Sequence, residues 1–389
     1  MPALSAALAA LDDAGLRRRR RTVERIAPDS AAIRVDGRDC LDFCGNDYLG
    51  LAGDPRLAEA AGRAANASGV GARASHLVCG HQPEHAALEA ELAAWTGRER
   101  TLVFSTGYQA NLGLVTALAG RGTRVHEDRL NHASLIDAAL LAGARLQRYA
   151  HADAVALERH LAARAGTAAL VLTDGVFSMD GDVAPLPALA AACARHGALL
   201  AVDDAHGLGV LGASGRGTLE HFALGQTEVP ALVGTFGKAF GTFGAFVAGP
   251  APLIESLVQR ARSYVYTTAL PPPIVAATRT ALALAAAEPW RRERALALAQ
   301  RFRARAQAAG LRLVGSATPI QPVLIGAPDA AVNASAALLE RGFFVAAIRP
   351  PTVPAGTSRL RVTLSALHRE ADVDALVMAL ADCGPQPMT

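Results

Sequence analysis

Four short β-rich runs in this chain end in polar residues of kinds that could do chemistry. Phe104 is followed by Ser105-Thr106-Gly107-Tyr108-Gln109-Ala110-Asn111, and Thr173 by Asp174-Gly175-Val176-Phe177-Ser178-Met179-Asp180. Val202 runs into Asp203-Asp204-Ala205-His206, and Val233 into Gly234-Thr235-Phe236-Gly237-Lys238. In an open α/β sheet, ligands bind beyond the carboxyl ends of the strands, so these segments should meet at one place. Gly107 at a helix start lets backbone N–H groups approach an anion, and the helix dipole favours phosphate there. Asp203 can pair with a protonated ring nitrogen, and His206, three residues on, can reach a neighbouring oxygen. Lys238 lies in a tight glycine-containing turn, where a partly desolvated amine can form an imine. His132, in Asn131-His132-Ala133-Ser134, can stack on a flat ring. A phosphate site, an acid facing a pyridinium and a Schiff-base lysine together describe pyridoxal 5′-phosphate (PLP).

Taken singly, each residue has a plainer reading. A strand-end Asp is often a helix cap, a lone His a turn residue, and a lone Lys a surface charge. Their joint appearance at successive strand ends carries the argument. Other patterns are weaker. Gly207-Leu208-Gly209-Val210-Leu211-Gly212 matches a dinucleotide-binding loop, but Asp203–His206 intervenes after the strand and Ala213–Gly217 does not read as a helix. Gly237-Lys238 is no P-loop, because Leu232 stands where the first glycine belongs and Ala239 replaces Ser/Thr. His81 and His85 flank Glu84 at metal-ligand spacing. No third ligand is evident, and the segment reads as the start of a helix over Glu84–Trp95.

Strands to carry these residues are predicted at Thr101–Phe104, Arg124–His126, Ala169–Thr173, Leu199–Asp203 and Leu232–Thr235. Helices over Ala133–Ala142, Val155–Arg164 and Leu186–His196 lie between them. This alternation predicts an α/β fold with a mostly parallel central sheet flanked by helices. From Pro289 the pattern changes to a smaller C-terminal α+β domain. It opens with one long basic helix, Trp290–Ala309, followed by a strand at Ile320–Ile325 and a helix at Ala330–Arg341. Strand-like runs Phe343–Ile348 and Arg359–Leu364 complete it. The predicted divisions are 1–45, an N-terminal helix and arm; 46–288, the large domain; and 289–389, the small domain.

A length of 389 residues suits about two domains. A net charge of +3 gives no support for a general nucleic-acid role, and no apolar run is long enough to span a bilayer. The basic run Arg17–Arg21 comes after an Ala/Leu stretch, the reverse of a signal peptide. It reads as a solvated arm or a site for one anionic ligand. Five cysteines without a Cys-x-x-Cys pair argue against a disulfide framework and suit a reducing, cytoplasmic setting.

From about Asn46 to His368 the chain resembles the α-oxoamine synthases, PLP-dependent transferases of fold type I. The resemblance is carried by Asn46-Asp47-Tyr48-Leu49-Gly50-Leu51, Asp174–Asp182, Val202–Gly209 and Thr235–Gly241. It implies that Lys238 carries PLP, Asp203 faces the pyridine nitrogen, His206 contacts the ring oxygen and His132 stacks on the ring. Gly107, Tyr108, Ser178 and Thr235 would complete the cofactor site, with Thr268 reaching the phosphate of a partner in a homodimer. The segment Ala347–Thr357, with Pro350-Pro351, is most similar to the members of biotin biosynthesis. These condense L-alanine with a pimeloyl thioester of CoA or a carrier protein. On that reading Thr352 and Arg18 contact the acyl substrate, Arg18 by aligning Thr22-Val23 with the family's segment. Asn46 and Arg361 take the amino-acid carboxylate. One departure is Asp174, where the nearest relatives often carry Glu. The rival expectations are a sister enzyme using glycine and a short acyl-CoA, a non-catalytic PLP-binding regulator, and a nicotinamide-dependent oxidoreductase.

Overall fold

A computed structural model describes residues 2–13, 16–18, 20–163 and 168–383. Arg19 of the basic run and Arg164, the predicted end of a helix, lie outside the described residues. The chain forms two compact units, Asp47–Ser178 with Asp182–Glu293, and Met1–Asn46 with Met179–Gly181 and Arg294–Thr389.

The larger unit holds a seven-stranded sheet. In spatial order its strands are Arg100–Phe104, Ala245–Gly249, Ala231–Thr235, Leu199–Asp203, Ala169–Asp174, Arg124–Asp128 and Arg145–Tyr149. Ala245–Gly249 runs antiparallel to both neighbours, and the other pairings are parallel. Runs such as Leu170-Val171-Leu172 and Leu200-Ala201-Val202 are buried throughout, as a sheet covered on both faces requires. Helices Gly107–Leu118, Ala133–Leu141 and Ala251–Arg260 cover one side through Leu114, Val115, Leu135, Ala138, Ile254 and Leu257.

Two of these strands go beyond the sequence expectation. Arg145–Tyr149 (RLQRY) is a half-exposed edge whose arginines face water, a common protection for a sheet edge. Ala245–Gly249 (AFVAG) is a short, wholly buried run, in which sequence periodicity does not separate strand from buried helix. This strand makes Thr235 to Ala245 a hairpin. Its loop is closed by Phe236 N–H to the Gly244 carbonyl at 2.8 Å, Thr242 N–H to the Phe236 carbonyl at 2.9 Å and Gly241 N–H to the Lys238 carbonyl at 2.9 Å.

The smaller unit has two sheets. One takes Val23–Arg25, Ala32–Val35, Arg38–Asp42 and Phe343–Phe344, the last parallel to Arg38–Asp42. The other is antiparallel, in the order Ile320–Gly326, Ser358–Thr363, Ala346–Ile348. Phe43, Phe302, Leu338, Val362 and Leu376 lie at its core. The N-terminal residues do not form the separate division expected at 1–45; strand pairing places them with the C-terminal residues. The boundary between units falls at Glu293, inside the helix Trp290–Ala308 rather than before it. No helix among the described residues is long and apolar enough to cross a membrane.

Candidate active site

The predicted residues of the larger unit other than Thr268 follow the carboxyl ends of its strands. Asp203 ends its strand, and its carboxylate accepts from Asn111 Nδ2 at 2.7 Å and from Ala205 N–H at 3.1 Å. His206 Nδ1 lies 2.7 Å from the Tyr48 hydroxyl, and both residues are buried. His132 caps the helix Ala133–Leu141. Its backbone N–H donates to Asp174 Oδ2 at 2.7 Å, and its Nδ1 lies 2.8 Å from Ser134 Oγ. Asn131 ties this turn to the neighbouring strand, donating to the Leu172 carbonyl and accepting from Asp174 N–H. Lys238 sits in the hairpin loop, close enough for its charge to act on His132, Asp174 and Asp204.

Electrostatics follow from this packing. Desolvation lowers the His132 pKa, and Lys238 adds to that against the opposing pull of Asp203. Burial holds Asp174 well above the usual carboxylate range, with Asp203 reinforcing it. Burial likewise pushes Asp204 up to about 8. Burial thus disfavours the charged forms of Asp174, Asp204 and His132.

An anion cradle lies at the start of the helix Gly107–Leu118. Thr106 caps it, accepting from Gln109 N–H at 3.1 Å. A side chain at Gly107 would begin 4.0 Å from Thr235 Cβ, so the helix start and Thr235 are neighbours. Tyr108 donates to Asp137 at 2.5 Å, and Ser178 is half-buried. Thr268 is exposed and hydrogen-bonds to none of these residues. The donor set fits PLP. It offers free helix N–H groups for a phosphate, an oriented carboxylate for a pyridinium, a histidine for a ring oxygen and an amine on a fixed turn.

The glycine run Gly207–Gly212 has a structural use. A Cβ on Gly207 would lie 2.1 Å from the Asp204 carboxylate, and one on Gly209 would lie 2.6 Å from Ala239 Cβ, beside Lys238. These glycines let the Asp203–His206 turn and the Lys238 loop pack together. His85 accepts from Gln82 N–H at the start of the helix Pro83–Thr96, and no metal cluster occurs among the described residues.

The remaining predicted residues belong to the smaller unit. Arg361 donates to Asn46 Oδ1 at 3.2 Å. Arg18 and Thr352 line one cavity of about 920 Å³, with Leu8, Leu11 and Leu16 supplying apolar wall. Arg349, in the same lining, donates to the Arg17 carbonyl at 3.2 Å.

Sequence reasoning missed Tyr48, Asn111 and Ser134. Tyr48 lies inside the Asn46–Leu51 segment that carries the family resemblance, which was its available signal. Asn111 stands one helical turn after Gly107, and so faces the same way. Ser134 stands two residues after His132, but nothing local marks it as a bridge.

The aminotransferase class I and II family matches residues 38–380. The 8-amino-7-oxononanoate synthase of Methylococcus capsulatus is 59% identical over 382 residues, covering 98% of each chain. That of Pseudomonas fluorescens is 58% identical, over 98% of this chain and 96% of the relative. Among solved structures, a serine palmitoyltransferase from S. paucimobilis with a bound PLP–myriocin aldimine aligns with a TM-score of 0.92. It is 32% identical, over 98% of this chain and 96% of its own. An 8-amino-7-oxononanoate synthase from Francisella tularensis aligns at 0.78 and 29% identity, over 88% and 97%. The chain belongs to the aminotransferase class I and II family and, within it, to the family of the 8-amino-7-oxononanoate synthases.

Proposed function

We propose that this enzyme uses PLP to condense L-alanine with a pimeloyl thioester, giving 8-amino-7-oxononanoate, CO₂ and the free thiol carrier. The observation that carries the reading is the meeting of Asp203, His206, His132 and Lys238 in a chain 59% identical, end to end, to such a synthase.

When bound, PLP supplies an electron sink for the charge left on the amino acid's α-carbon. Lys238 would anchor the cofactor, and its free amine would take the α-proton of the amino acid. Asp203, held by Asn111 and Ala205, keeps a proton on the pyridine nitrogen. His206, fixed by Tyr48, hydrogen-bonds the ring oxygen. His132 packs on the ring and donates to the thioester carbonyl. Gly107, Tyr108, Ser178 and Thr235 hold the phosphate. Arg361 and Asn46 bind the alanine carboxylate. Arg18 and Thr352 take the far carboxylate of the pimeloyl chain, and Leu8, Leu11 and Leu16 line its methylenes; a directional Arg–carboxylate contact suits that end.

The proposed working form is a cytoplasmic homodimer. Leu77, Val78 and Tyr266 are 51%, 77% and 72% exposed, on segments joined by the Ala269 N–H to Ala74 carbonyl bond. Such an apolar surface suits burial against a second copy. All five cysteines are free thiols, in keeping with a reducing compartment.

The deciding experiment is a product assay with alanine, glycine and serine against pimeloyl-CoA, pimeloyl-carrier protein and acetyl-CoA. Alanine with a pimeloyl donor should give the highest kcat/KM. One methyl in a pocket is worth about 1–3 kcal/mol, so the preference over glycine should be leaky, while that for the distal carboxylate should be larger. Equal values for pimeloyl and acetyl donors would overturn the substrate assignment. Borohydride reduction followed by mass spectrometry should place the cofactor label on Lys238; a label on another lysine would overturn that anchor.

A further inference from the structure

Two of the side chains missed in the sequence connect two of those that were found. Asn111 and Ser134 are both fully buried. The Asn111 amide nitrogen lies 2.7 Å from Asp203 Oδ2 and 2.8 Å from Ser134 Oγ. Ser134 Oγ in turn lies 2.8 Å from His132 Nδ1. The Ser134 backbone N–H points at the same nitrogen, 3.3 Å away. A continuous hydrogen-bonded path therefore runs from Asp203 through Asn111 and Ser134 to His132.

The direction of each bond follows from what each group can give. Asp203 can only accept when ionised, so Asn111 must turn its NH₂ toward it; an amide oxygen there would be repelled. The second hydrogen of that NH₂ is then spent on Ser134 Oγ. A hydroxyl has one hydrogen, and with its oxygen accepting from Asn111 that hydrogen is left for His132 Nδ1. His132 Nδ1 then faces two donors, the Ser134 hydroxyl and backbone N–H, and must present a lone pair. In a neutral imidazole the ring proton is consequently on Nε2.

We infer that Asn111 and Ser134 are positioning residues that fix His132 as its Nε2–H tautomer and tie that choice to the Asp203 carboxylate. The neutral ring this requires agrees with the desolvation that lowers the His132 pKa. Nε2–H is a donor, the form needed to polarise a thioester carbonyl. The other tautomer would offer that carbonyl a lone pair and repel it. The inference rests on the role proposed for His132 above, and it adds residues whose effect on the reaction passes through other side chains.

The test uses holoenzyme with ¹⁵N-labelled histidine, the His132 ring signals being assigned by their loss in His132→Gln. The wild type should show an unprotonated Nδ1 and a protonated Nε2. Ser134→Ala should give a mixture of tautomers and lower kcat by about 10- to 100-fold, the usual effect of removing a partner that orients a histidine, with little change in KM for alanine. Ser134→Thr keeps the hydroxyl and should restore both readouts. A proton on Nδ1 in the wild type would overturn the inference, and that measurement needs no variant to fold. A changed tautomer with unaltered kcat, or neither changed, would also overturn the positioning role. Should the wild type make no 8-amino-7-oxononanoate, the proposed function fails, while the tautomer still reports on the path itself.

Discussion

Both oxygens of Asp203 are bonded within the chain, one to Asn111 and one to the backbone of Ala205, so its charge is oriented by the fold alone. Asp203→Asn keeps the shape and removes the charge proposed to hold a proton on the pyridine nitrogen. Loss of one preorganised electrostatic group of this kind costs about 3 kcal/mol, so kcat/KM should fall by more than about 100-fold. Near wild-type turnover in the variant would refute the role. Glu127 presents the opposite case. It is fully buried, neither carboxylate oxygen has a hydrogen-bond partner, and burial pushes its pKa up to about 7, with Arg148 opposing and Asp137 reinforcing the shift. A raised carboxyl pKa means that the folded form keeps a proton which the unfolded chain releases. The stability tied to that proton is intact below about pH 4.5 and is lost as the pH rises through about 7. Glu127→Gln should therefore gain on the wild type by roughly 2–3 kcal/mol between pH 5 and pH 8, measured by urea unfolding at both. A stability difference that is flat with pH would show that Glu127 ionises normally. At this scale the sequence offered as candidates the residues whose chemistry is visible in their own type, Lys238, Asp203, His206 and His132. It hid Asn111, whose partner Asp203 lies 92 positions away and whose amide could serve any of several groups.

Among the elements, the helix Trp290–Ala308 shows how misleading charge can be when read along the chain. Its basic run suggests an exposed cationic face, yet many of its arginines are engaged. Arg291 is buried, donating to Asp54, Glu288 and the Leu49 carbonyl. Arg292 donates to the Ala213 carbonyl, Arg294 to that of His368 and Arg303 to that of Val314. Arg301 pairs with Asp374 and Glu370 across a more open surface. Burial decides which pairs matter. Arg291→Ala removes a donor from the buried Leu49 and Gly50 carbonyls and from Asp54, which keeps its pairing with Arg56, and should cost about 1–3 kcal/mol by urea unfolding. Arg301→Ala should cost clearly less, as exposed pairs do. Equal losses would overturn this ordering. Sequence patterns located the parallel strands other than the edge strand Arg145–Tyr149 to within a few residues, because each is a β-rich run followed by turn chemistry. They did not reveal Ala245–Gly249, since a five-residue buried run carries no period of its own.

For the whole molecule, the proposed homodimer predicts shared sites. Mixing Lys238→Ala with Thr268→Ala subunits should restore some activity if Thr268 completes the phosphate site of its neighbour. No recovery from a mixture shown to exchange subunits would place the entire site within one chain, as would an active monomer in sedimentation. Another consequence lies in the pairing of Arg38–Asp42 with Phe343–Phe344, which joins Leu41 to Phe343, near the other end of the chain. A ribosome adding about 5–20 residues per second reaches that partner roughly 15 seconds to a minute after the first strand has emerged. Through that interval the Arg38–Asp42 strand waits with one edge unmatched, where it could pair with another nascent chain. Its sequence, Arg38-Asp39-Cys40-Leu41-Asp42, carries three charges in five residues, and Arg38 and Asp39 remain exposed even after folding. Those charges discourage adventitious pairing of an open strand, so residues with no part in the chemistry protect the chain while it is still being made.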